Sequence, residues 1–363
     1  MTFAESAPRV VARKEGGLGT ITLNRPDAIN AVDTAMIRSI RGVLDAWVTD
    51  TDVQVVLFVG AGERGFCAGG DVRQLHNAIR DGELAKADEF FRNEYTLNAC
   101  IGEYPKPIVV LADGVTMGGG IGIAGHAAVR VATERSQFAM PETRIGFTPD
   151  AGGSWLLGRA PGRLGEFLAL TSWVMGPADA VYAGFADHVV PAANLPSLRE
   201  ALTTRADPGT PTELVLLFDE TPEPGPIERA RPWIDEVFAG DTIAEIQARL
   251  RALIDSDEVF EGDLTPAAAL AALEERSPTA LTITLAAVQS ARWLKGLREA
   301  LTQEFALVSW FMKTQPDMVE GIRAQLVDKD RSPRWTPATL DDVDPEIVGD
   351  AFTFEVDRGL FTP

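Results

Sequence analysis

Two glycine-rich segments contain the residues with the clearest capacity for chemistry. Residues 118–125 follow a predicted turn at 113–117, and their glycines open a predicted helix. The first N–H groups of a helix have no partner within it, so they can donate to developing negative charge. Residues 60–71 also lead from a strand to a helix. We expect each segment to give one N–H to the same substrate oxygen. Taken alone, the second is equally well a surface loop capped by Asp71.

The first segment also contains a literal G-x-G-x-x-G, at Gly120, Gly122 and Gly125, which by itself suggests a dinucleotide site. In dinucleotide-binding folds this fingerprint directly follows the strand of the first β-α-β unit. Here the predicted strand ends near Ala112 and is not the first one. The oxyanion interpretation is therefore favoured over a dinucleotide site.

Two carboxylates have spacing that suggests a role. Glu94 falls on one apolar helical face, whose other members are Phe90, Leu97 and Ile101. A buried carboxylate is costly unless it is paired or functional, although an edge position would leave Glu94 in water. Asp150 precedes a predicted helix that starts near Gly152. Its simplest interpretation is an N-cap, and a catalytic role is the alternative.

The hydrophobic pattern predicts the elements that position these residues. A hairpin is expected from strands 10–12 and 20–23, buried strands at 53–59 and 107–112, and weaker strands at 129–132 and 187–190. Residues 34–48 have one apolar face and Asp33 as a plausible N-cap, which predicts an amphipathic helix. The alternation of strands and helices indicates an α/β fold.

The second half of the chain has a different texture. Six prolines between 208 and 232 indicate a linker or an irregular crossover. These prolines are Pro208, Pro211, Pro222, Pro224, Pro226 and Pro232. Apolar residues at helical spacing follow, such as Leu281, Leu285 and Val288. We therefore predict a catalytic core over residues 1–195 and a mostly helical region over residues 196–363.

The composition limits the class of protein. Of the 363 residues, 45% are hydrophobic and 24% are charged, which is typical of a globular protein. No apolar run approaches the ~20 residues of a membrane helix, so no membrane association is expected. The net charge of −20 argues against a nucleic-acid partner. An anionic ligand would need a local basic patch or backbone N–H groups.

Cysteine and histidine contents predict no metal site. Cys67 and Cys100 are too few for a disulfide scaffold and argue against a cysteine zinc site. The histidines lack ligand-like spacing and are expected to be structural; they are His76, His126 and His188. Residues 1–17 show no export or organelle pattern, so a cytoplasmic protein is expected.

Several motifs together resemble the crotonase (enoyl-CoA hydratase/isomerase) superfamily. They are F-C-A-G-G-D at 66–71, D-G-V-T-M-G-G-G at 113–120, N-R-P at 24–26, I-N-A-V at 29–32 and A-M-P-E at 139–142. The resemblance covers about residues 8–195. It implies a spiral of β-β-α units, a CoA thioester substrate, and an oxyanion hole formed by the N–H groups of Gly70 and Gly119.

The same resemblance bears on the reaction. Hydratases of the superfamily use two glutamates around a water. Glu142 matches one of them, but Gly122 occupies the position of the other. Hydration of a double bond needs a base for the water and an acid for the carbon. The absence of the second acid therefore argues against hydratase activity.

A longer string, M-P-E-T-x-I-G-F-x-P-D-x-G-G at 140–153, resembles the 3-hydroxyisobutyryl-CoA hydrolase branch, in which the acids matching Glu142 and Asp150 are functional. Residues 90–95 are similar to that branch too, where the acid matching Glu94 contacts substrate; a bond to the substrate 3-hydroxyl is a sensible role. Segments 277–279, 320–324 and 326–335 extend the match. Four basic residues there are expected either to meet CoA phosphates or to be solvated; they are Arg323, Lys329, Arg331 and Arg334.

The resemblance thus implies hydrolysis of 3-hydroxyisobutyryl-CoA or a similar short acyl-CoA, a step of valine breakdown, with CoA as part of the substrate and no other cofactor. Glu142 would attack the carbonyl or activate water, and Asp150 would orient water or handle a proton. A serine triad is not indicated, because no G-x-S-x-G occurs. The alternatives are an enoyl-CoA hydratase or isomerase and a catalytically silent CoA-binding protein. A homo-oligomer is possible on the same resemblance.

Overall fold

A six-stranded sheet forms the centre of the fold. The computed structural model describes residues 7–205, 207, 209 and 211–362. The strand order is β1-β2-β3-β5-β7-β9, with β1 and β2 antiparallel and the remaining neighbours parallel. These strands are β1 Val10–Glu15, β2 Leu18–Leu23, β3 Val55–Gly60, β5 Ile108–Ala112, β7 Val129–Ala132 and β9 His188–Val189. The hairpin and all four later strands that the sequence predicts are confirmed.

Both faces of this sheet are covered, which explains why its central strands are continuous apolar runs rather than alternating ones. On one face, β3 and β5 pack against α8, Leu195–Thr204, and α9, Pro211–Leu216, through residues such as Leu57, Leu198 and Leu214. The opposite face contributes Val56, Phe58 and Val110 to the main hydrophobic core.

A second, three-stranded parallel sheet lies beside the first. Its strands are β4 Gly65–Cys67, β6 Val115–Met117 and β8 Gln137–Ala139, in that order. The chain therefore repeats a unit of one long strand followed by one short strand, as in β3-β4, β5-β6 and β7-β8, and a helix follows β4 and β6. This is the β-β-α spiral that the resemblance to the crotonase superfamily implies.

The short strands correct two details of the sequence analysis. Residues 60–71 are not a continuous loop, because they contain β4, and residues 113–117 are not only a turn, because they contain β6. The glycines at 118–125 therefore do follow a strand directly. Each short strand has three residues, and its hydrogen bonds go to distant segments of the chain, so no local periodicity marks it.

The helices of the first half surround the two sheets. They are α1 Thr34–Val48, α2 Val72–Arg80, α3 Leu84–Gly102, α4 Gly119–Ala124, α5 Gly153–Leu157, α6 Leu164–Thr171 and α7 Pro177–Tyr182. Helix α1 has the predicted bounds, and the Asp33 carboxylate accepts a hydrogen bond from the Met36 N–H at 2.8 Å. That bond confirms Asp33 as its N-cap.

The remaining helices lie in the second half. They are α10 Pro226–Val237, α11 Ile243–Ile254, α12 Pro266–Glu274, α13 Pro278–Ala291, α14 Leu297–Thr314, α15 Asp317–Ile322 and α16 Ile347–Phe352. Helix α14 packs on α3, and α13 packs on α6. A π-helical turn over Arg323–Val327 follows α15. In the described ranges no helix has both the length and the apolar character needed to cross a membrane.

The proline-rich stretch is more regular than predicted. Pro211 and Pro226 are the first residues of α9 and α10, where the missing N–H of proline has no helical partner to lose. Pro232 lies inside α10. Pro208 falls outside the described residues. The prediction of a linker was wrong for 211–216 and 226–237, which are helical.

Candidate active site

All five residues that the sequence predicts for the site line one pocket of about 280 Å³. They are Gly70, Gly119, Glu94, Glu142 and Asp150. The remaining wall is mainly apolar and is contributed by Val72, Leu75, Phe90, Phe91, Ile145, Phe147, Met318 and Leu326, among others. A pocket with apolar walls and a few converging polar groups is the usual form of a small-molecule site.

The two predicted oxyanion donors lie next to each other. A Cβ placed on Gly119 would be 3.3 Å from the amide nitrogen of Gly70. Each donor follows a glycine with positive φ, Gly69 at 103° and Gly118 at 51°, which turns the next N–H away from its strand. Within the described part of the chain, neither amide has a hydrogen-bond acceptor. Two adjacent unpaired N–H groups form a suitable cradle for a carbonyl oxygen.

The Gly70 loop is held by a segment near the N-terminus. The Val32 N–H donates to the Gly69 carbonyl at 2.9 Å, and the Asp71 N–H donates to the Val32 carbonyl at 2.8 Å. The Asp71 carboxylate pairs with Arg25 at 2.8 Å and makes no cap hydrogen bond to α2. Asp71 therefore occupies the N-cap position of α2, as the alternative interpretation has it, but its side chain does not cap the helix. The loop is fixed from outside rather than by its own helix.

Glu142 begins the 3-10 turn Glu142–Ile145 that follows β8. A Cβ on Gly118 would lie 3.0 Å from its Oε1, which places the carboxyl beside the oxyanion loop. Its Oε2 is buried without a hydrogen-bond partner in the described structure. Burial, followed by the charge of Asp150, raises the pKa of Glu142 well above its usual value. Such a carboxyl is a functional-site candidate on physical grounds.

Asp150 is buried and accepts a hydrogen bond from the Tyr95 hydroxyl at 2.7 Å. Burial raises the pKa of Asp150 to about 7, and the bond from Tyr95 acts in the opposite direction. The simplest interpretation of Asp150, as the N-cap of α5, was wrong. Gly152 is the N-cap residue, and the carboxylate that accepts hydrogen bonds from this helix end belongs to Glu304.

Glu94 is only 4% exposed, so the alternative of an edge position with its carboxylate in water was wrong. Its neighbours on the predicted face, Phe90, Leu97 and Ile101, are buried with it. The Oε1 atom contacts the position of a Cβ on Gly119 and has no hydrogen-bond partner in the described structure. Burial, and then the charge of Asp150, raise the pKa of Glu94 well above its usual value.

Gly122 is enclosed by protein. A Cβ at this position would overlap the Asn98 side-chain amide and would lie 2.8 Å from the Cβ of Ala151. Gly125 is similarly close to Leu156 and Ile121. These glycines allow close packing of α4 on its neighbours, and an acidic side chain at position 122 has no space in this arrangement.

The histidines and cysteines lie outside the pocket wall. His126 Nε2 is 3.0 Å from the Ala151 carbonyl, His188 Nδ1 is 3.0 Å from Asp219, and His76 is buried in α2. Cys67 and Cys100 are free thiols, and burial raises the pKa of Cys67 to about 12. In the described ranges no group of three or more His, Cys, Asp or Glu residues has a metal-binding arrangement.

The basic cluster divides into two parts. Arg323 is bonded to Glu320, Asp328 and Asp330, all at 2.6–2.8 Å, so its charge is already matched. Lys329, Arg331 and Arg334 are exposed beyond the π-helical turn, whose Gln325 and Leu326 line the pocket. Three exposed basic residues therefore follow the pocket-lining residues Gln325 and Leu326 in the chain.

Sequence reasoning missed Tyr95, which bonds to a site acid, and Glu304, whose charge acts on Glu142. Tyr95 follows Glu94 directly and binds Asp150. Glu304 lies in α14, far along the chain, and is fully buried. A signal for Glu304 exists, because Leu301, Phe305 and Val308 surround it at helical spacing, just as apolar residues surround Glu94.

Comparison with known proteins places the chain among acyl-CoA enzymes. A family model described as enoyl-CoA hydratase/isomerase matches residues 18–352. The 3-hydroxyisobutyryl-CoA hydrolase, mitochondrial, of Homo sapiens is 39% identical over 359 residues, which cover 96% of this chain and 89% of that protein. The protein of the same name from Gallus gallus is 38% identical, with coverages of 96% and 89%.

Two solved structures are similar over almost the whole chain. A carnitinyl-CoA dehydratase from Mycobacterium thermoresistibile has a TM-score of 0.89 and 43% identity, covering 97% of this chain and 98% of that one. An enoyl-CoA hydratase from Rhodobacter sphaeroides has a TM-score of 0.86 and 43% identity, with coverages of 95% and 97%. The match over residues 18–352 and these full-length likenesses lead to one conclusion: the chain belongs to the enoyl-CoA hydratase/isomerase family.

Proposed function

We propose that this protein hydrolyses 3-hydroxyisobutyryl-CoA, or a similar short acyl-CoA thioester, to the free acid and CoA, as in valine breakdown. One observation carries the proposal: two backbone N–H groups that have no acceptor among the described residues and three buried carboxyls meet in a single pocket. The names of the curated relatives, 37–39% identical, support the same reaction.

The N–H groups of Gly70 and Gly119 bind the thioester oxygen. As the carbonyl carbon becomes tetrahedral, negative charge develops on this oxygen, and both hydrogen bonds strengthen. Each such donor contributes on the order of 3 kcal/mol to the transition state. Because both donors are backbone groups, their positions depend on the loops rather than on side-chain conformation.

Glu142 supplies the reagent beside that carbonyl. In one route its carboxylate attacks the carbonyl carbon, the C–S bond breaks, and CoA leaves as a thiolate that then takes a proton; water later hydrolyses the acyl-glutamyl anhydride. In the other route Glu142 takes a proton from a water that attacks directly. Both routes require the ionised form of Glu142, although burial raises its pKa.

Asp150 and Glu94 complete the site. Asp150, with its pKa raised to about 7, is suited to orient the water or to exchange a proton near neutral pH. Glu94 has an unpartnered Oε1 beside Gly119 and accepts a hydrogen bond from the 3-hydroxyl of the acyl group. An acyl-CoA without that hydroxyl would leave the Glu94 oxygen unpaired and bind less well.

The CoA portion extends past the wall formed by Gln325 and Leu326. We propose that the exposed Lys329, Arg331 and Arg334 approach its phosphates, whereas Arg323 is occupied by acidic neighbours. Such a local patch would offset the net charge of −20. We also propose that no cofactor is needed besides the CoA of the substrate, and that the protein works in a reducing, cytoplasm-like compartment.

The rival reaction is hydration or isomerisation of an enoyl-CoA, which the names of the two similar structures favour. Hydration needs a second acid, and the position that carries it in hydratases is Gly122, where the Asn98 and Ala151 side chains leave no space. The assay that separates the reactions uses a thiol-reactive dye with 3-hydroxyisobutyryl-CoA and, in parallel, the absorbance of an enoyl-CoA. Only hydrolysis releases a thiol. Loss of enoyl absorbance without thiol release would establish the rival.

The substitution Glu142→Gln tests the assigned reagent. We expect thiol release to fall by about 10³-fold or more, because an amide can neither attack the carbonyl nor take a proton from water. CoA binding, measured by calorimetry, should remain within a few-fold of the unmodified protein. Full activity in this variant would refute the role of Glu142, and loss of both activity and binding would indicate a damaged pocket instead.

A third candidate is a protein that binds CoA without turnover. It predicts calorimetric binding of CoA and no change in any member of a short acyl-CoA panel. That result would remove the hydrolase proposal while leaving the family assignment intact.

A further inference from the structure

The turn that carries Asp150 is strained. Its chain reverses over residues 150–153, and the Gly153 N–H donates to the Asp150 carbonyl at 2.7 Å. Both central residues have positive φ, 54° for Ala151 and 81° for Gly152. This is the geometry of a type I′ turn. Alanine pays a steric penalty for positive φ, so surrounding contacts must hold the turn in this form.

The peptide between the two central residues is held at both ends. Its carbonyl oxygen, on Ala151, is 3.0 Å from His126 Nε2. Its N–H, on Gly152, donates to Glu304 Oε2 at 2.6 Å. Since a carbonyl oxygen can only accept, His126 carries its proton on Nε2. This peptide is the unit whose rotation converts one turn type into another. Two side chains from separate elements prevent that rotation.

Glu304 is built into this position. It is fully buried, and its Oε1 accepts from the Ser154 N–H at 2.9 Å and from the Ser154 hydroxyl at 2.5 Å. Three donors from the start of α5 therefore converge on one carboxylate from α14. Burying a carboxylate costs several kcal/mol even with such partners. An apolar residue would leave these three donors without their acceptor, so the start of α5 depends on Glu304 for its hydrogen bonds.

We infer that His126 and Glu304 are positioning residues that clamp the Ala151–Gly152 peptide and thereby hold the Asp150 carboxyl against Tyr95, beside the reacting carbonyl. The inference rests on the proposed function in one respect: Asp150 must take part in the reaction. Neither residue lines the pocket, so the proposed role of each is to position Asp150 and not to contact the substrate. A displacement of about 1 Å at a reacting group can lower a rate by about 100-fold.

The first test is a double-mutant cycle between positions 304 and 150. In Glu304→Gln the amide NH₂ faces one of the three donors, which releases one side of the peptide. We expect kcat for thiol release to fall by about 10- to 100-fold, with KM within about two-fold. In an Asp150→Asn background the same substitution should cause no further loss in kcat. Effects that multiply, or an unchanged kcat in the single variant, would overturn the inference.

A matched pair at position 126 gives a second test that does not need the variant at 304 to fold. Glutamine places its Nε2 close to that of histidine and can still donate to the Ala151 carbonyl, whereas leucine cannot. His126→Gln should retain kcat within a few-fold, and His126→Leu should lose as much as Glu304→Gln. Equal activity of the two variants would overturn the inference.

The control is Glu166→Gln. Glu166 is also fully buried and bonded, to Arg163 at 2.9 Å and to Arg292 at 2.5 Å, but it lies outside the pocket. Its substitution should lower the thermal midpoint and leave kcat unchanged in both backgrounds. It thus separates general destabilisation from an effect on Asp150.

Failure of the proposed function is distinguishable from failure of the clamp. If the unmodified protein releases thiol from no acyl-CoA, the hydrolase proposal fails, and a crystal structure of His126→Leu decides about the clamp. A rotated Ala151–Gly152 peptide, or loss of the 2.7 Å bond between Tyr95 and Asp150, would support it. An unchanged turn with that bond intact would overturn it.

Discussion

Two opposing effects determine the pKa of Asp150. Burial raises its pKa, while the hydroxyl of Tyr95 stabilises the ionised form, and the pKa settles at about 7. A carboxyl in this range can change protonation during a reaction near neutral pH. Tyr95 itself is fully buried, and burial raises its pKa well above the usual value, so it remains a donor.

The substitution Tyr95→Phe should move the titration of Asp150. Removing the hydroxyl removes an interaction that lowers the pKa of Asp150, so whichever limb of the kcat profile reports Asp150 should shift to higher pH, and kcat should fall by about 10-fold. The profile is measured by thiol release. Tyr104→Phe is the control, because its hydroxyl binds the Leu44 carbonyl at 2.7 Å, away from the pocket. An identical profile in Tyr95→Phe would show that the bond does not set the ionisation of Asp150.

The sequence predicts several residues of the site but not their hydrogen-bond partners. Glu94 could be singled out because its helical face is otherwise apolar, and the glycine loops because of their chemistry. Tyr95 was missed because a hydrogen bond between distant segments leaves no local pattern, and Glu304 was missed although the apolar residues around it at helical spacing mark it as buried. The prediction that Asp150 caps α5 was wrong because the carboxylate that accepts hydrogen bonds from the start of α5 belongs to Glu304, in the distant helix α14.

At the scale of elements, helix α4 packs more tightly than its short length suggests. The side chains of Asn98 and Ala151 occupy the space beside Gly122, so helix α4, helix α3 and the Asp150 turn meet at this glycine. Both polar atoms of the buried Asn98 amide lack partners within the described structure. The glycine is therefore a packing requirement between three elements.

Gly122→Ala should destabilise the protein by about 1–3 kcal/mol, because the added methyl group overlaps Asn98 and Ala151. The matched control is Gly42→Ala in α1, where a Cβ meets nothing within 4 Å. That change should be neutral or should stabilise by up to about 1 kcal/mol, since alanine favours a helix. Chemical denaturation measures both. Equal effects at the two positions would contradict the packing argument.

The long strands and α1 could be predicted from the sequence because each is a sustained apolar or amphipathic run. The short strands β4, β6 and β8 could not, since three residues carry too little pattern and their partners are non-local. Helices α9 and α10 were not predicted, because their prolines indicated a linker, whereas Pro211 and Pro226 are in fact the first residues of these helices. The division at residue 195 stays a prediction.

At the scale of the whole molecule, four buried carboxyls lie close enough to influence one another: Glu94, Glu142, Asp150 and Glu304. Each has a raised pKa, about 7 for Asp150 and about 8 for Glu304. A raised pKa in the folded state adds stability below the unfolded value, and this is lost as pH rises through the folded value. The contribution of these carboxyls to stability should therefore fall as pH rises from about 4 to about 8.

We expect the thermal midpoint to decrease as pH rises from about 4 to about 8, the range between the unfolded and folded pKa values of Asp150 and Glu304. Burial lowers the pKa of His126 to about 4, so its contribution acts in the opposite sense and is lost as pH falls from 6.5 towards 4. Four carboxyls outweigh one histidine over this range, so the decrease should dominate. Calorimetry across pH measures the curve, and Glu304→Gln should make the decrease smaller. A midpoint that rises steadily from pH 4 to pH 8 would contradict the assignment.

The three short strands end two or three residues before three proposed features of the site: β4 before Gly70, β6 before Gly119, and β8 before Glu142. The first two features are peptide groups, which every amino acid possesses, and only the third is a side chain. If these features have the proposed roles, backbone groups bind the thioester and a side chain determines the reaction. A substitution after β8 would then change the reaction while the thioester is still bound, and family membership alone would not determine the product.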